Sequence, residues 1–197
     1  MLSSIHPFGE RSRNNSFALT AGAHIAGSAL GGLALGALAG LVAEATTLVV
    51  AGDSVARPAA LAAVAGVALV TELSGRRLPT RVHQVDENWI QAYRGWVYGG
   101  GFGFELGFGL STIITTALVH VMVAAMVLTG SLPAALVLGA TFGLCRGATI
   151  LAGAGISSPD RLRDFHRRMD EQRRISSRLA LTALGVASLV ALSAVAG

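Results

Sequence analysis

The chain has 197 residues, of which 52% are hydrophobic and 13% are charged, and its mean hydropathy is +0.61. A soluble domain carries about twice this charged fraction, so the composition excludes an ordinary soluble fold and predicts an all-α, polytopic integral membrane protein. All 15 basic residues are Arg, which in a chain so rich in Ala and Gly is typical of a bacterial genome of high GC content.

Several classes of function lack sequence support. A sequence pI near 10.5 would indicate nucleic-acid binding in a soluble protein, but here the Arg residues lie at the ends of apolar runs, so no nucleic-acid partner is expected. The single cysteine, Cys145, rules out a disulfide or a cysteine metal cluster within the chain. No Ser/His/Asp array, catalytic carboxylate pair or HExxH is present. His24 and His120 are expected at different depths in the membrane, so they cannot both bind one haem iron. We therefore expect neither an enzyme nor a bound cofactor or metal.

Five apolar runs predict a bundle of five transmembrane helices in one domain, residues 17–197. The expected spans are 17–51, 58–75, 96–129, 133–154 and 178–196. Residues 1–16 have no periodic apolar face and are expected to form a cytoplasmic tail. Two Arg-rich amphipathic segments, at about 76–94 and 160–178, are also expected on the cytoplasmic side. With the N-terminus inside, only Arg57 is left outside, which predicts a multi-pass protein of the cell inner (plasma) membrane.

Glycines recur at four-residue spacing in three of the runs, which allows close contact between helix backbones in lipid. The three series are Gly32, Gly36 and Gly40; Gly99, Gly103 and Gly107; and Gly139, Gly143 and Gly147. The order of elements further indicates a weak internal duplication, 17–95 and 96–178, and such repeats are common in transporters. The alternative is that any membrane protein built of helical hairpins with basic loops has this pattern.

The first and third runs are longer than a membrane requires. About 34 residues at 1.5 Å each give about 51 Å, against a hydrocarbon core of about 30 Å. These helices must tilt, bend, protrude or break, and we expect a break in their glycine-rich first halves. A broken helix would expose backbone groups that can bind an ion or a substrate.

Ionisable side chains within the third run define the candidate site. On a continuous helix, Glu105, Thr112, Thr116 and His120 fall within about 80° of one another and form one polar stripe. The stripe predicts a path for a proton, an ion or a small polar solute. The alternative is structural: Glu105 pairs with Arg146, which is expected at similar depth, and the threonines bond their own helix. Glu44 and His24 are further candidates.

Two functions remain open. The first is a small transporter or permease-like protein that uses the polar stripe. The second is a non-transporting membrane scaffold or assembly subunit, whose glycine faces pack on partner helices or on a second copy. The lipid bilayer is the expected environment in both cases. The Arg-rich segments predict contact with anionic lipids, unless they serve only to set the topology.

Overall fold

A computed structural model describes residues 5–49, 55–75, 88–109 and 116–196. Most of the predicted amphipathic segment 76–94, and Thr112, lie outside these ranges. The described residues form helices and contain no strand. In chain order, the elements are α1 (Pro7–Ser12), α2 (Phe17–Val49), α3 (Ala56–Leu73), α4 (Trp89–Ala92), α5 (Gly95–Phe108), α6 (Leu118–Leu128), α7 (Leu132–Ala148), a 3₁₀ turn (Thr149–Gly153) and α8 (Pro159–Ala196).

Among the described residues, four helices are long and apolar enough to cross a membrane. They are Phe17–Ala45, Ala56–Leu73, Leu132–Gly153 and Ile175–Val195. They correspond to the predicted first, second, fourth and fifth spans and indicate a membrane protein. The fifth is the end of α8, which is one helix of 38 residues and also contains the predicted amphipathic segment 160–178.

The predicted third span is not a single helix. It comprises α5, of 14 residues, and α6, of 11 residues, and each is shorter than the roughly 20 residues that a bilayer requires. Helix α5 ends at Phe108 and Gly109 is not helical, so the expected break in the glycine-rich first half of this run is present. The first run is continuous, as α2 has 33 residues, so the break expected there is wrong. The glycines within α2 and α5 keep helical geometry because, as described next, they pack against neighbouring backbones.

Helix α2 lies between α5 and α7, and glycines mediate both contacts. On the α5 side, each glycine meets a carbonyl of α2 so closely that an added Cβ would clash: Gly99 with Thr20, Gly103 with His24, and Gly107 with Ser28. The residue numbers rise together along the two helices, so α5 runs parallel to α2. A side chain at any of these positions would separate the backbones.

On its other side, α2 packs against α7 in the opposite direction. Its glycines meet α7 in reverse order: Gly32 with Gly139, Gly36 with Ala135, and Gly40 with Leu132. The Ser28 hydroxyl donates a hydrogen bond of 2.7 Å to the carbonyl of Gly143, which ties the two helices together. The glycines of all three predicted series therefore contact helices of the same chain.

A second group of helices is formed by α3, α6 and α8. Its core consists of Ala65 and Ala68 from α3, Ala117 and Val121 at the start of α6, and Leu184 from α8. Helix α6 runs antiparallel to α3, because its first residues lie near the end of α3 and Gly130, just beyond it, lies near Arg57. Helix α6 also joins this group to α2 and α7.

Residues 1–16 were expected to form a cytoplasmic tail; the described residues 5–16 fold against the bundle, and their cytoplasmic location stays a prediction. Pro7 occupies the first turn of α1, where a residue without an N–H costs no hydrogen bond, and His6 caps the helix by accepting from the N–H of Gly9 at 3.1 Å. The side chains of Ile5, His6 and Glu10 are buried. Helix α1 therefore packs over the first turns of α2 and α5.

Candidate functional site

Helix α5 ends inside the bundle. Its C-cap is Gly109, with φ of +71°, a left-handed conformation that glycine adopts at little cost and that commonly terminates helices. An added Cβ on Gly31 would clash with the carbonyl of Phe104, in the last turn of α5, so this turn lies opposite Gly31. Helix α2 continues to Val49. We call the stretch between the end of α5 at Phe108 and the start of α6 at Leu118 the interruption. Where α5 ends, the interruption is level with the middle of α2.

The guanidinium of Arg146 lies beside this end of α5. It is placed by α7 and stacks over the ring of Phe142, with its Cζ 5.3 Å from the ring centroid. A Cβ built on Gly109 would be 3.5 Å from the Nη1 atom of Arg146. The last carbonyls of a helix carry partial negative charge and lack partners within the helix, so a cation is stabilised at this position.

Glu105 is on the last turn of α5, and its carbonyl accepts from the N–H of Gly109 at 3.3 Å. Its side chain is half-buried. Glu105 and Arg146 are thus at the same end of α5, as their similar predicted depths required. A direct ion pair between the two side chains stays a prediction.

The start of α6 carries partial positive charge, opposite in sign to the partial charge at the end of α5. The Oε2 atom of Glu72, near the end of α3, accepts from the backbone N–H of Ala117 at 3.0 Å. The Oγ1 atom of Thr116 accepts from the N–H of Leu118 at 3.2 Å. The first N–H groups of a helix carry partial positive charge, so a carboxylate here is stabilising. Each end of the interruption therefore has a side chain of complementary charge beside it.

The predicted polar stripe assumed one continuous helix, and that geometry is wrong because α5 ends at Phe108. Thr116 precedes α6 and accepts from the N–H of Leu118, and Thr112 lies outside the described residues. His120 lines an apolar cavity of about 470 Å³ between α3 and α6, together with Thr71 and small or aliphatic side chains. The structure places Arg146 at the end of α5 that carries Glu105, and it places His120 against α3. The functional roles of these residues stay predictions.

The two further candidates have different surroundings. His24 is buried where α2 meets α5, and its Nδ1 atom is 3.2 Å from the carbonyl oxygen of Gly99. A proton on Nδ1 makes this a hydrogen bond between the two helices, which is a structural task. Glu44 is exposed on the last turns of α2. Among the described residues, no group of three or more His, Cys, Asp or Glu could hold a metal ion.

A buried polar cluster at the other end of α5 was missed by the sequence analysis. The carboxylate of Glu10 is fully buried and accepts from the hydroxyls of Tyr98 and Thr20, the latter at 2.8 Å. The guanidinium of Arg13 is 3.3 Å from it. These contacts satisfy the carboxylate, as a buried charge requires. Pro7 was the available sequence signal, because proline is common in the first turn of a helix.

Comparison with protein-family models, with curated proteins and with solved structures finds no match to this chain. Its class therefore follows from the fold alone. The described residues form an all-helical protein with four helices able to span a membrane, in which two shorter helices, α5 and α6, take the place of the predicted third span.

Proposed function

We propose that this chain is a small permease-like transporter that moves an ion or a small polar solute through the interruption between α5 and α6. One observation carries the proposal: each helix end at the interruption has a complementary charge beside it, Arg146 at the end of α5 and Glu72 at the start of α6. Interrupted helices supply unpaired backbone groups within the membrane, and in transporters these groups bind ions and substrates.

In this mechanism Glu105 is the binding group. A proton or another cation that binds its carboxylate competes with Arg146 for the same negative region, which the last carbonyls of α5 extend. Occupancy therefore changes the position of the guanidinium relative to Gly109. Glu72 and Thr116 hold the first turn of α6 in place, which keeps the second helix end aimed at the interruption.

The proposal includes five membrane crossings. Four are the long helices described above, and the remaining one, the third in chain order, is made by α5 and α6 together. Helix α5 begins beside Thr20, near the start of α2, and α6 leads into Leu132, which packs on Gly40 near the far end of α2. The pair therefore extends along most of α2. The distribution of Arg supports a cytoplasmic N-terminus and an inner-membrane location.

The scaffold function relied on glycine faces that are open to partner helices. Each predicted glycine series instead contacts another helix of the chain. The exposed side chains of α3 and α8 include Val67, Val70 and Leu189, which suit lipid as well as a partner. The scaffold function is therefore the alternative outcome of the test below.

The test is whether water reaches Glu105. In a Cys145→Ala background, Glu105→Cys and Thr116→Cys probe the two sides of the interruption, and Val137→Cys probes the exposed apolar face of α7, where it is 66% exposed. We expect a charged, membrane-impermeant methanethiosulfonate reagent to label the first two in vesicles and to spare the third. If all three react equally slowly, water does not reach the interruption and the transport proposal fails in favour of a scaffold.

A flux assay then tests the role of Glu105. Purified protein in liposomes is assayed for proton flux with a pH-sensitive dye and for sodium flux with a radiotracer. We expect flux above that of empty liposomes, and its loss in Glu105→Gln. Glu171→Gln is the matched control, because Glu171 is exposed on α8 and the same charge is removed. Equal flux in both variants would exclude Glu105 as the binding group.

A further inference from the structure

A cleft of about 370 Å³ lies at the start of α5, between the segment that follows α1 and the helix α4. One wall is polar and cationic, and the other is formed by the aliphatic and aromatic side chains of α4 and the turn after it. The described residues that line it are Arg13, Asn15, Ile90, Ala92, Tyr93 and Arg94. This set contains two guanidinium groups and no carboxylate, so the cleft is suited to an anion.

The polar wall is held in place by hydrogen bonds. Arg13 is anchored by Glu10, which is itself fully buried. The Oδ1 atom of Asn15 accepts from the N–H of Gly95 at 3.4 Å, and its amide nitrogen is 3.5 Å from the hydroxyl of Tyr98. Because Glu10 offsets the charge of Arg13, the positive charge of Arg94 gives the cleft its net charge.

The position of the cleft indicates which anion it meets. Helices α2 and α5 both begin beside it. The ring of Tyr93 lines the cleft, the ring of Trp89 contacts Tyr93, and Trp96 is in the first turn of α5. These rings are 53%, 36% and 52% exposed, respectively. Exposed aromatic rings of this kind are typical of the boundary between the hydrocarbon core and the lipid headgroups. At this boundary the abundant anion is the phosphate group of a phospholipid.

We propose that the cleft binds the phosphate group of an anionic phospholipid. Arg13 and Arg94 donate hydrogen bonds to the phosphate oxygens, for which guanidinium groups are well shaped. Ile90 and Ala92 contact the glycerol and the first acyl carbons. The first N–H groups of α5, which point toward its start, add favourable partial charge. This site is separate from the interruption and does not depend on transport.

The test measures lipid retention. The full chain is purified in detergent, titrated with phosphatidylglycerol or phosphatidylcholine, and the bound lipid is counted by native mass spectrometry. We expect Arg94→Gln to bind phosphatidylglycerol about tenfold more weakly, the effect of losing one hydrogen bond to a charged group. Arg11→Gln is the matched control, because Arg11 is an exposed Arg of α1 that lies outside both Arg-rich segments and does not line the cleft, and this variant should bind within about twofold of the unmodified chain.

A second variant guards against misfolding. Asn15→Asp keeps the oxygen that accepts from Gly95 and adds a negative charge to the wall of the cleft, so it should also weaken phosphatidylglycerol binding. Inorganic phosphate is the competing ligand. Binding of phosphatidylglycerol that depends on Arg94 and resists inorganic phosphate supports the proposal. Displacement by inorganic phosphate would assign the cleft to a soluble phosphate, and equal binding by Arg94→Gln and Arg11→Gln would overturn the site.

Discussion

The contact between α2 and α5 makes a sharp prediction at Gly107. A Cβ at this position would lie 1.9 Å from the carbonyl oxygen of Ser28 and 2.6 Å from its carbonyl carbon, whereas real Cβ contacts are essentially never below 3.0 Å. Both atoms belong to the backbone and cannot rotate away. The Gly107→Ala substitution therefore requires the two helices to separate by roughly 1 Å, which forfeits a quarter to a half of the dispersion energy at the contact.

The cost follows from this separation. Overpacking of a close-packed interface costs about 1–3 kcal/mol, and a backbone clash belongs at the upper end of this range. Replacing glycine with alanine in a helix returns about 0.5–1 kcal/mol. We therefore expect Gly107→Ala to lower the free energy of unfolding by about 2 kcal/mol. The measurement is equilibrium unfolding in mixed micelles with increasing SDS, followed by the fluorescence of Trp89 and Trp96.

Gly100→Ala is the matched control, because it is in the same helix and its Cβ would meet only the carbonyl oxygen of Ala23, at 3.8 Å. This variant should unfold at the same SDS fraction as the unmodified chain or at a higher one. If Gly107→Ala is as stable as Gly100→Ala, α5 does not pack against α2 in the parallel arrangement described here. The position of the interruption opposite Gly31 would then be refuted as well.

Two further predictions concern charge and pH. Glu72→Gln keeps the shape of the side chain but removes the charge at the start of α6, so we expect this turn to lose about 0.3–1 kcal/mol. The amide hydrogen of Ala117 should then exchange faster in hydrogen–deuterium exchange. Burial lowers the pKa of His6, and Arg13 lowers it further. The neutral ring accepts from Gly9, so the stability contributed by His6 is complete above about pH 6.5 and is lost as the pH falls below this value.

Each of these predictions has a control. Glu171→Gln removes an exposed carboxylate from α8 and should leave the exchange of Ala117 unchanged. If Glu72→Gln also leaves it unchanged, the carboxylate does not stabilise α6. For His6, the His6→Asn variant retains a capping acceptor but does not titrate, so its unfolding midpoint should fall less on acidification. If His6→Asn and the unmodified chain lose stability equally on acidification, His6 is not the cause.

The spans were largely predictable because they depend on one local quantity. A membrane helix must hide its backbone hydrogen bonds over a fixed thickness, so the length of an apolar run indicates it directly. The run from Leu132 therefore shows the expected helix within two residues of the predicted start. The first and last residues of such a span can therefore be predicted without knowing which helices pack against it.

The sequence predicted a break in the glycine-rich half of the third run, but not which glycine would end the helix. Gly99, Gly103 and Gly107 remain helical, whereas Gly109 adopts φ of +71°. Sequence alone treats these glycines alike. The difference arises because the first three lie against carbonyls of α2, which favours the regular helix, while Gly109 faces the side chains of Phe142 and Arg146. The signal for the break is thus in α7, more than thirty residues away.

The sequence did not predict the burial of Glu10, and the reason is again a contact with a residue distant in sequence. A polar segment before the first apolar run resembles a solvated tail, since a buried carboxylate without partners would cost several kcal/mol. Its partners are Thr20, Tyr98 and Arg13. Tyr98 is distant in sequence, so the local pattern predicts exposure, and only the tertiary contact makes burial possible.

The interruption and the charges beside it explain one another. Arg146 lies within a helix that can span a membrane, at whose centre an isolated charge costs about 2.5–3.5 kcal/mol, and Glu72 is one residue from the end of another such helix. If residues 96–129 formed one continuous helix, the partial charges at Gly109 and Ala117 would vanish and both side chains would lose this stabilisation. Without the two side chains, the helix ends would leave backbone groups facing a medium that cannot solvate them. Under the transport proposal, a binding site within the membrane requires the interruption and the two charges together.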